Sequence, residues 1–215
     1  VDRYNFETGN KSWTFQTAAS LHSSPALSQG TLVVGSDDGT VYAVNAETGE
    51  ARWTFKTNGS VYATPVIRNA TVFIGSFDNY LYALDLNTGT LKWKFSTAAS
   101  IYHACAVNEQ HVIVGSNDHF VYCLDAATGS PEWKFAAQSL ISTTPTLTRT
   151  HVFFGSIDNF FYALNLASGE PDWKFEAKGR IRTTPIVFGE YLFGASENNV
   201  VYAFIQTHTD STLRD

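Results

Sequence analysis

Tryptophan recurs at Trp13, Trp53, Trp93, Trp133 and Trp173, always 40 residues apart. Phenylalanine follows each two residues later (Phe15, Phe55, Phe95, Phe135, Phe175), and Gly9, Gly49, Gly89, Gly129 and Gly169 precede each by four. Tyr42, Tyr82, Tyr122, Tyr162 and Tyr202 keep the step, as do Pro25, Pro65, Pro145 and Pro185, with Cys105 where the missing proline would fall. Five copies without an insertion or deletion mean a repeat architecture, in which each unit buries its apolar face only against its neighbours.

Each unit reads as four short strands. In the second copy they are SVYATPVI (60–67), TVFIGS (71–76), YLYALDL (80–86) and LKWKFST (91–97), parted by RNA, FDN and NTG. Gly, Asn and Asp suit those turns because they tolerate left-handed or side-chain-bonded backbone. The short spacing between breakers and the β-branched and aromatic bias exclude helix. VFIG and YLYAL are apolar throughout, so both faces of the sheet need cover. Four-stranded sheets stacked around an axis meet that need, and a period near 40 is the propeller signature. The fold expected is all-β, a five-bladed β-propeller of four-stranded antiparallel blades.

The string Ala43, Asn45, Thr48, Gly49, Trp53 resembles the tryptophan-docking motif of the pyrroloquinoline-quinone (PQQ)-like, quinoprotein alcohol dehydrogenase-like propeller repeats. It recurs as Ala83, Asp85, Thr88, Gly89, Trp93, then with Cys123 for alanine before Asp125, Thr128, Gly129 and Trp133. The fourth copy keeps Ala163, Asn165, Gly169 and Trp173, with Ser168 for threonine. The resemblance implies that the tryptophans and glycines of the series are structural. It also implies that each Trp stacks on the Thr-Gly peptide of its own blade and against the alanine of the neighbouring blade.

The termini look complementary. Residues 1–16 hold Asn5, Thr8, Gly9 and Trp13 with Arg3 in the alanine position, while VVYAFI (200–205) stops before the docking motif. One domain over 1–205 is expected, with repeats at about 21–57, 61–97, 101–137, 141–177 and 181–205. Residues 9–16 are expected to supply the last blade's outer strand and close the ring, and residues 206–215 to fray. Propellers of the resembled family commonly have seven or eight blades, so the rival expectation is an arc of a larger ring. A chain without methionine is expected to be a processed product, an excised domain or an engineered piece.

Chemistry is harder to read. The net charge of −6 and the scattered basic residues disfavour nucleic acid, and no apolar run is long enough to span a membrane. Quinoprotein dehydrogenases hold PQQ and calcium on the axis, but this chain has no adjacent cysteine pair and no loop insertion. The expectation is therefore no enzyme, no cofactor and no metal. Cys105 and Cys123 fall on non-adjacent strands roughly 9–10 Å apart, too far for a disulfide, and read as small buried apolar residues. His111 and His151 share one repeat position and read as surface residues. His22 and His103 differ by one in register and are expected to point to opposite faces. The Ser-x-Asp turns, from Ser36/Asp38 to Ser156/Asp158, read as side chains bonding their own backbone rather than as calcium ligands. Asn10, Asn58 and Asn69 head N-x-S/T sequons.

If the constant positions build the scaffold, specificity lies where equivalent positions differ. One such series is His22, Tyr62, Tyr102, Ser142, Arg182; the other is Asp37, Phe77, Asn117, Ile157, Glu197. Both should emerge on one axial face, with Tyr62, Phe77, Tyr102 and Ile157 as an apolar sector. His22, Asp37, Arg182 and Glu197 should form a polar sector beside the closure. Tyr, Phe and Arg favour partner surfaces, so the expected role is a protein-binding or scaffolding module. The alternatives are a lectin-like binder of a glycan or small ligand at the axial face, or an engineered repeat protein without a natural ligand. Resembling repeats occur in outer-membrane assembly lipoproteins and extracytoplasmic sensor regions, which implies an extracytoplasmic, periplasmic or secreted, location.

Overall fold

The computed structural model describes residues 1–205, all strand, turn and irregular segment with no helix; the tail expected over 206–215 lies outside them. Strands β1 (Asp2–Tyr4) and β2 (Lys11–Thr14) pair as a two-stranded sheet. Four four-stranded antiparallel sheets follow. The first holds β3 (Ala26–Ser28), β4 (Thr31–Gly35), β5 (Thr40–Asn45) and β6 (Ala51–Lys56). The second holds β7 (Val66–Arg68), β8 (Thr71–Gly75), β9 (Tyr80–Asp85) and β10 (Leu91–Ser96). The third holds β11 (Ala106–Val107), β12 (His111–Gly115), β13 (Phe120–Asp125) and β14 (Pro131–Ala136). The fourth holds β15 (Thr146–Leu147), β16 (His151–Gly155), β17 (Phe160–Asn165) and β18 (Pro171–Glu176). A three-stranded sheet, β19 (Ile186–Phe188), β20 (Tyr191–Ser196) and β21 (Val200–Ile205), ends the described chain.

The core lies between sheets. Val33, Val41 and Trp53 of the first sheet share a buried cluster with Val72, Ile74 and Leu84 of the second, and each later junction repeats this arrangement. Both faces of the middle strands are covered, as their unbroken apolar runs require. Close approach depends on Gly35, Gly75, Gly115 and Gly155. A Cβ at Gly75 would lie 2.2 Å from the Cγ2 of Ile101 in the next repeat, so only glycine fits there.

The expected closing pair is not present among the described residues: β2 pairs with β1, with Arg3 opposite Trp13, and β21 pairs with β20. Residues 1–15 thus repeat the last two strands of a blade, and 186–205 the first three. Carrying β2 across to β21 would exchange one ladder for another without adding hydrogen bonds.

The tryptophan wedge also points the other way. Each Trp pairs with the alanine-position residue of its own sheet, as in Ala83↔Trp93, and Trp13, Trp53, Trp93 and Trp133 stack on the glycine turn of the following sheet. A Cβ on Gly89 would lie 2.6 Å from the Trp53 ring, and Gly129 and Gly169 stand in the same relation to Trp93 and Trp133. The indole then donates forward: Trp53 Nε1 to Leu86 O at 2.8 Å, Trp93 to Ala126 O at 3.1 Å, Trp133 to Leu166 O at 2.8 Å. Trp13 covers Gly49, but its Nε1 is buried without a partner. The guanidinium of Arg3 instead reaches Ala46 O at 3.3 Å and Glu47 O at 2.9 Å. Trp173 stacks on Phe204 at 5.1 Å, and Gly9 has nothing within 4 Å of its would-be Cβ.

Candidate partner-binding face

Two segments of each repeat meet at one end of its sheet. The amide after the conserved serine donates back to the start of the inner segment: Asp37 to Ser20 O, Phe77 to Ser60 O, Asn117 to Ser100 O, Ile157 to Leu140 O and Glu197 to Arg180 O, at 2.9–3.2 Å. The serine carbonyl accepts an amide from the inner segment of the following repeat, as in Val61 to Ser36 O at 3.0 Å. Both variable series therefore open on the same face.

The aspartate two residues after the serine fixes this corner. Asp78 Oδ1 accepts the Tyr80 amide at 3.1 Å; Oδ2 accepts the Tyr82 hydroxyl at 2.7 Å and the Asn58 amide at 2.8 Å. Asp38, Asp118 and Asp158 bind Tyr42, Tyr122 and Tyr162 the same way. The Ser-x-Asp turns thus bond local backbone and a tyrosine. Burial, then the aspartate, raises the Tyr82 phenol above its ordinary range.

On the face itself the aromatic residues are contiguous. Ring centroids lie at 4.5 Å for His22–Tyr62, 4.6 Å for Tyr62–Phe77, 5.6 Å for Tyr62–Tyr102 and 5.5 Å for Phe77–Tyr102. Tyr102 is 44% exposed, while Tyr62 and Phe77 are half-buried. Desolvation, then the Asp37 carboxylate, raises the Tyr62 phenol. Asn117 donates to Ser100 Oγ at 2.9 Å, and Ile157 is half-buried.

His22 pairs with Asp37 at 3.1 Å at the first four-stranded sheet, and Arg182 with Glu197 at 2.6 Å at the three-stranded sheet. Ser142 leaves the face altogether: it is 7% exposed and donates to Ile181 O at 2.7 Å. The ring of His103, expected to point away, lies 5.0 Å from that of Tyr102, tilted by 50°. Strand alternation fails as a guide there because the inner strands are only two or three residues long and residues 101–105 precede them as irregular chain. Burial, and secondarily the Arg182 charge, hold the His103 imidazole below its ordinary range. His103 was thus a residue of this face that alternation hid; its adjacency to Tyr102 was the available signal.

Stacked four-stranded antiparallel sheets, wedged by an indole at each junction, have the form of PQQ-like β-propeller blades. The family model described as outer membrane protein assembly factor BamB matches residues 1–104 and 81–207, and the chain belongs to that family. Among solved structures, BamB from Moraxella catarrhalis is similar at 22% identity with a TM-score of 0.80, over 92% of this chain and 62% of that one. The computationally designed Ika8 protein is similar at 18% identity with a TM-score of 0.77, over 85% of this chain and 57% of that one. The chain therefore spans less than two thirds of either length. No curated protein matched by sequence. Among the described residues no helix is long and apolar enough to cross a membrane.

Proposed function

We propose that this chain is a non-catalytic module that holds a protein partner on its axial face, outside the cytoplasm, in the assembly of outer-membrane proteins. The observation that carries the reading is the run of touching rings from His22 through Tyr62 and Phe77 to Tyr102, flanked by two ion pairs. Tyr, Phe and Arg are the residues that anchor protein interfaces, and a rim of charges suits one. The description of the matched family as an assembly factor supports the process. A glycan-binding ring would repeat its pocket residues from blade to blade, whereas these positions vary between repeats, with only Tyr62 and Tyr102 alike. Asp37 is hydrogen-bonded to His22 and Glu197 is paired with Arg182, which favours recognition over acid–base work and leaves PQQ without a role in this reading.

The test uses purified outer-membrane assembly components in detergent. Replacing Tyr62→Ser, Phe77→Ser and Tyr102→Ser together should abolish binding while the melting temperature moves by only a few degrees. A photo-cross-linking residue at Tyr102 should capture the partner, and one at Thr90, on a turn at the opposite end of its sheet, should not. Unchanged binding by the triple variant, or equal capture from both positions, overturns the proposal.

A further inference from the structure

The third sheet departs from the first and second at three positions at once, and the three side chains meet. Where the first and second sheets have Thr31 and Thr71 the third has His111, and where they have Arg52 and Lys92 it has Glu132. In the siblings a cation donates to the threonine, Arg52 to Thr31 Oγ1 at 2.6 Å and Lys92 to Thr71 Oγ1 at 2.8 Å. The third departure, Cys123, occupies the alanine position of the docking motif. Three substitutions from different strands, converting a neutral–cation pair into imidazole, thiol and carboxylate, are not explained by the indole wedge, which works equally well over alanine.

Local backbone brings them together. His111 opens β12 two residues before Ile113, the partner of Cys123, so both side chains share a sheet face. On β14 the ladder slips between Cys123 and Leu124: Trp133 and Pro131 pair, and Glu132 is left over. That bulge turns Glu132 toward the same site. Its Oε2 lies 3.3 Å from His111 Nε2 and 3.5 Å from Cys123 Sγ, and the three donor atoms lie within 4.8 Å of one another.

From this geometry we propose that His111, Cys123 and Glu132 form a three-ligand site for zinc or a zinc-like divalent cation. Bonds of about 2.0–2.1 Å to nitrogen, 2.0–2.2 Å to oxygen and 2.3 Å to sulfur give tetrahedral edges of roughly 3.3–3.6 Å, which the two measured edges already match. The donor set is soft to borderline and suits zinc rather than calcium or magnesium. Cys123 is fully buried, whereas the Glu132 side chain is 39% exposed, so the fourth position opens through Glu132 to a water or an external ligand. The Asp125 carboxylate, opposite His111 in the strand ladder, adds negative charge. On binding, the cation displaces the thiol proton to solvent and takes up the thiolate. A metal on Nε2 leaves the His111 proton on Nδ1, so the long 3.4 Å approach of Asn108 Nδ2 to that atom is given up.

The fourth sheet supplies an internal control. It has His151 with Asp172 at 2.9 Å but Ala163 in the cysteine position, hence two ligands and no thiolate. The full chain should take up one equivalent of Zn²⁺ in competition with a chromophoric chelator, and Co²⁺ should give the thiolate-to-cobalt charge-transfer band. Cys123→Ala restores the residue of Ala43, Ala83 and Ala163, so it should fold normally yet lose the band. Loss of an outer-shell partner costs about 10–100-fold in metal affinity, so loss of this direct ligand should cost about 100-fold or more. Ala163→Cys should raise the stoichiometry from one to two. Absence of saturable uptake by the full chain, a cobalt band that survives in Cys123→Ala, or one equivalent still in Ala163→Cys would each overturn the assignment.

Discussion

The junction at Gly89 allows the indole wedge to be measured separately from backbone strain. Gly89 sits at φ +71°, where alanine costs about 1–2 kcal/mol through the left-handed backbone alone. Its new Cβ would also lie 2.6 Å from Cδ2 and Cε3 of Trp53, against an optimum of about 3.5–4.0 Å between carbons. The ring must therefore retreat by roughly 1 Å, an overpacking cost of about 1–3 kcal/mol that endangers the 2.8 Å bond from Trp53 Nε1 to Leu86 O. Gly89→Ala should then cost about 2–5 kcal/mol. Gly9→Ala, at φ +69° with nothing within 4 Å, should cost only the backbone part. Urea unfolding followed by fluorescence and far-UV circular dichroism compares the two midpoints at equal slope. Hydrogen exchange localises the change, because repeat arrays need not melt in one step. Trp53→Phe should recover part of the loss in the Gly89→Ala background and none in Gly9→Ala. Equal midpoint shifts for the two glycine variants, or no recovery, would refute the wedge.

Two further outcomes follow from the same corners of the molecule. Asp78→Ala leaves the Tyr82 hydroxyl, in a side chain only 4% exposed, and the Asn58 amide without an acceptor; the loss should be about 2–4 kcal/mol, against about 1 kcal/mol for Tyr82→Phe, in calorimetry that added calcium leaves unchanged. His103 has a folded-state pKa depressed below its ordinary 6.5, so the unfolded chain binds the extra proton and stability falls as pH drops from 7 toward 5; His103→Gln should flatten that slope, and an unaltered pH profile of melting would show that the imidazole is not desolvated.

The strand pattern, the four full sheets and the Ser-x-Asp corners were legible because they are written within one repeat. What lies between repeats was not. A strict 40-residue translation makes Ala43 and Ala83, or Gly49 and Gly89, indistinguishable as partners for Trp53, so the direction of the wedge could not be read. Half-motifs at the two ends look alike whether they meet or stay apart, which is why closure was expected. The variable face was legible where hydrogen bonds fix the chain, at Tyr62, Phe77 and Tyr102. It was misread at His103 and Ser142, where short inner strands break the alternation that the reading assumed. Cys123 was seen only as a small apolar residue, since the bulge that swings Glu132 beside it leaves no mark in the pattern.

The outer faces of the first and last described sheets also differ in ways that disfavour their packing together. On the last sheet Ile186, Phe193 and Val201 are 62%, 36% and 72% exposed, although their counterparts Val66, Phe73 and Leu81 pack against the next repeat. This face calls for an apolar sheet with a branched residue to fill the gap, as Ile101, Ile141 and Ile181 do at earlier junctions. The outer face of β1–β2 offers instead Asp2 in a salt bridge to Lys11 and a hydrogen bond to Thr14. Pressing that ion pair onto Val201 and Phe193 would strip its water without replacing the contacts, a cost that apolar burial elsewhere in the seam would have to exceed. The inner side of the same small sheet shows the contrary solution. Arg3, where its siblings carry alanine, spans the junction to Ala46 and Glu47 and so attaches the half-sheet through a cation to the turn whose carbonyl, at other junctions, accepts the indole.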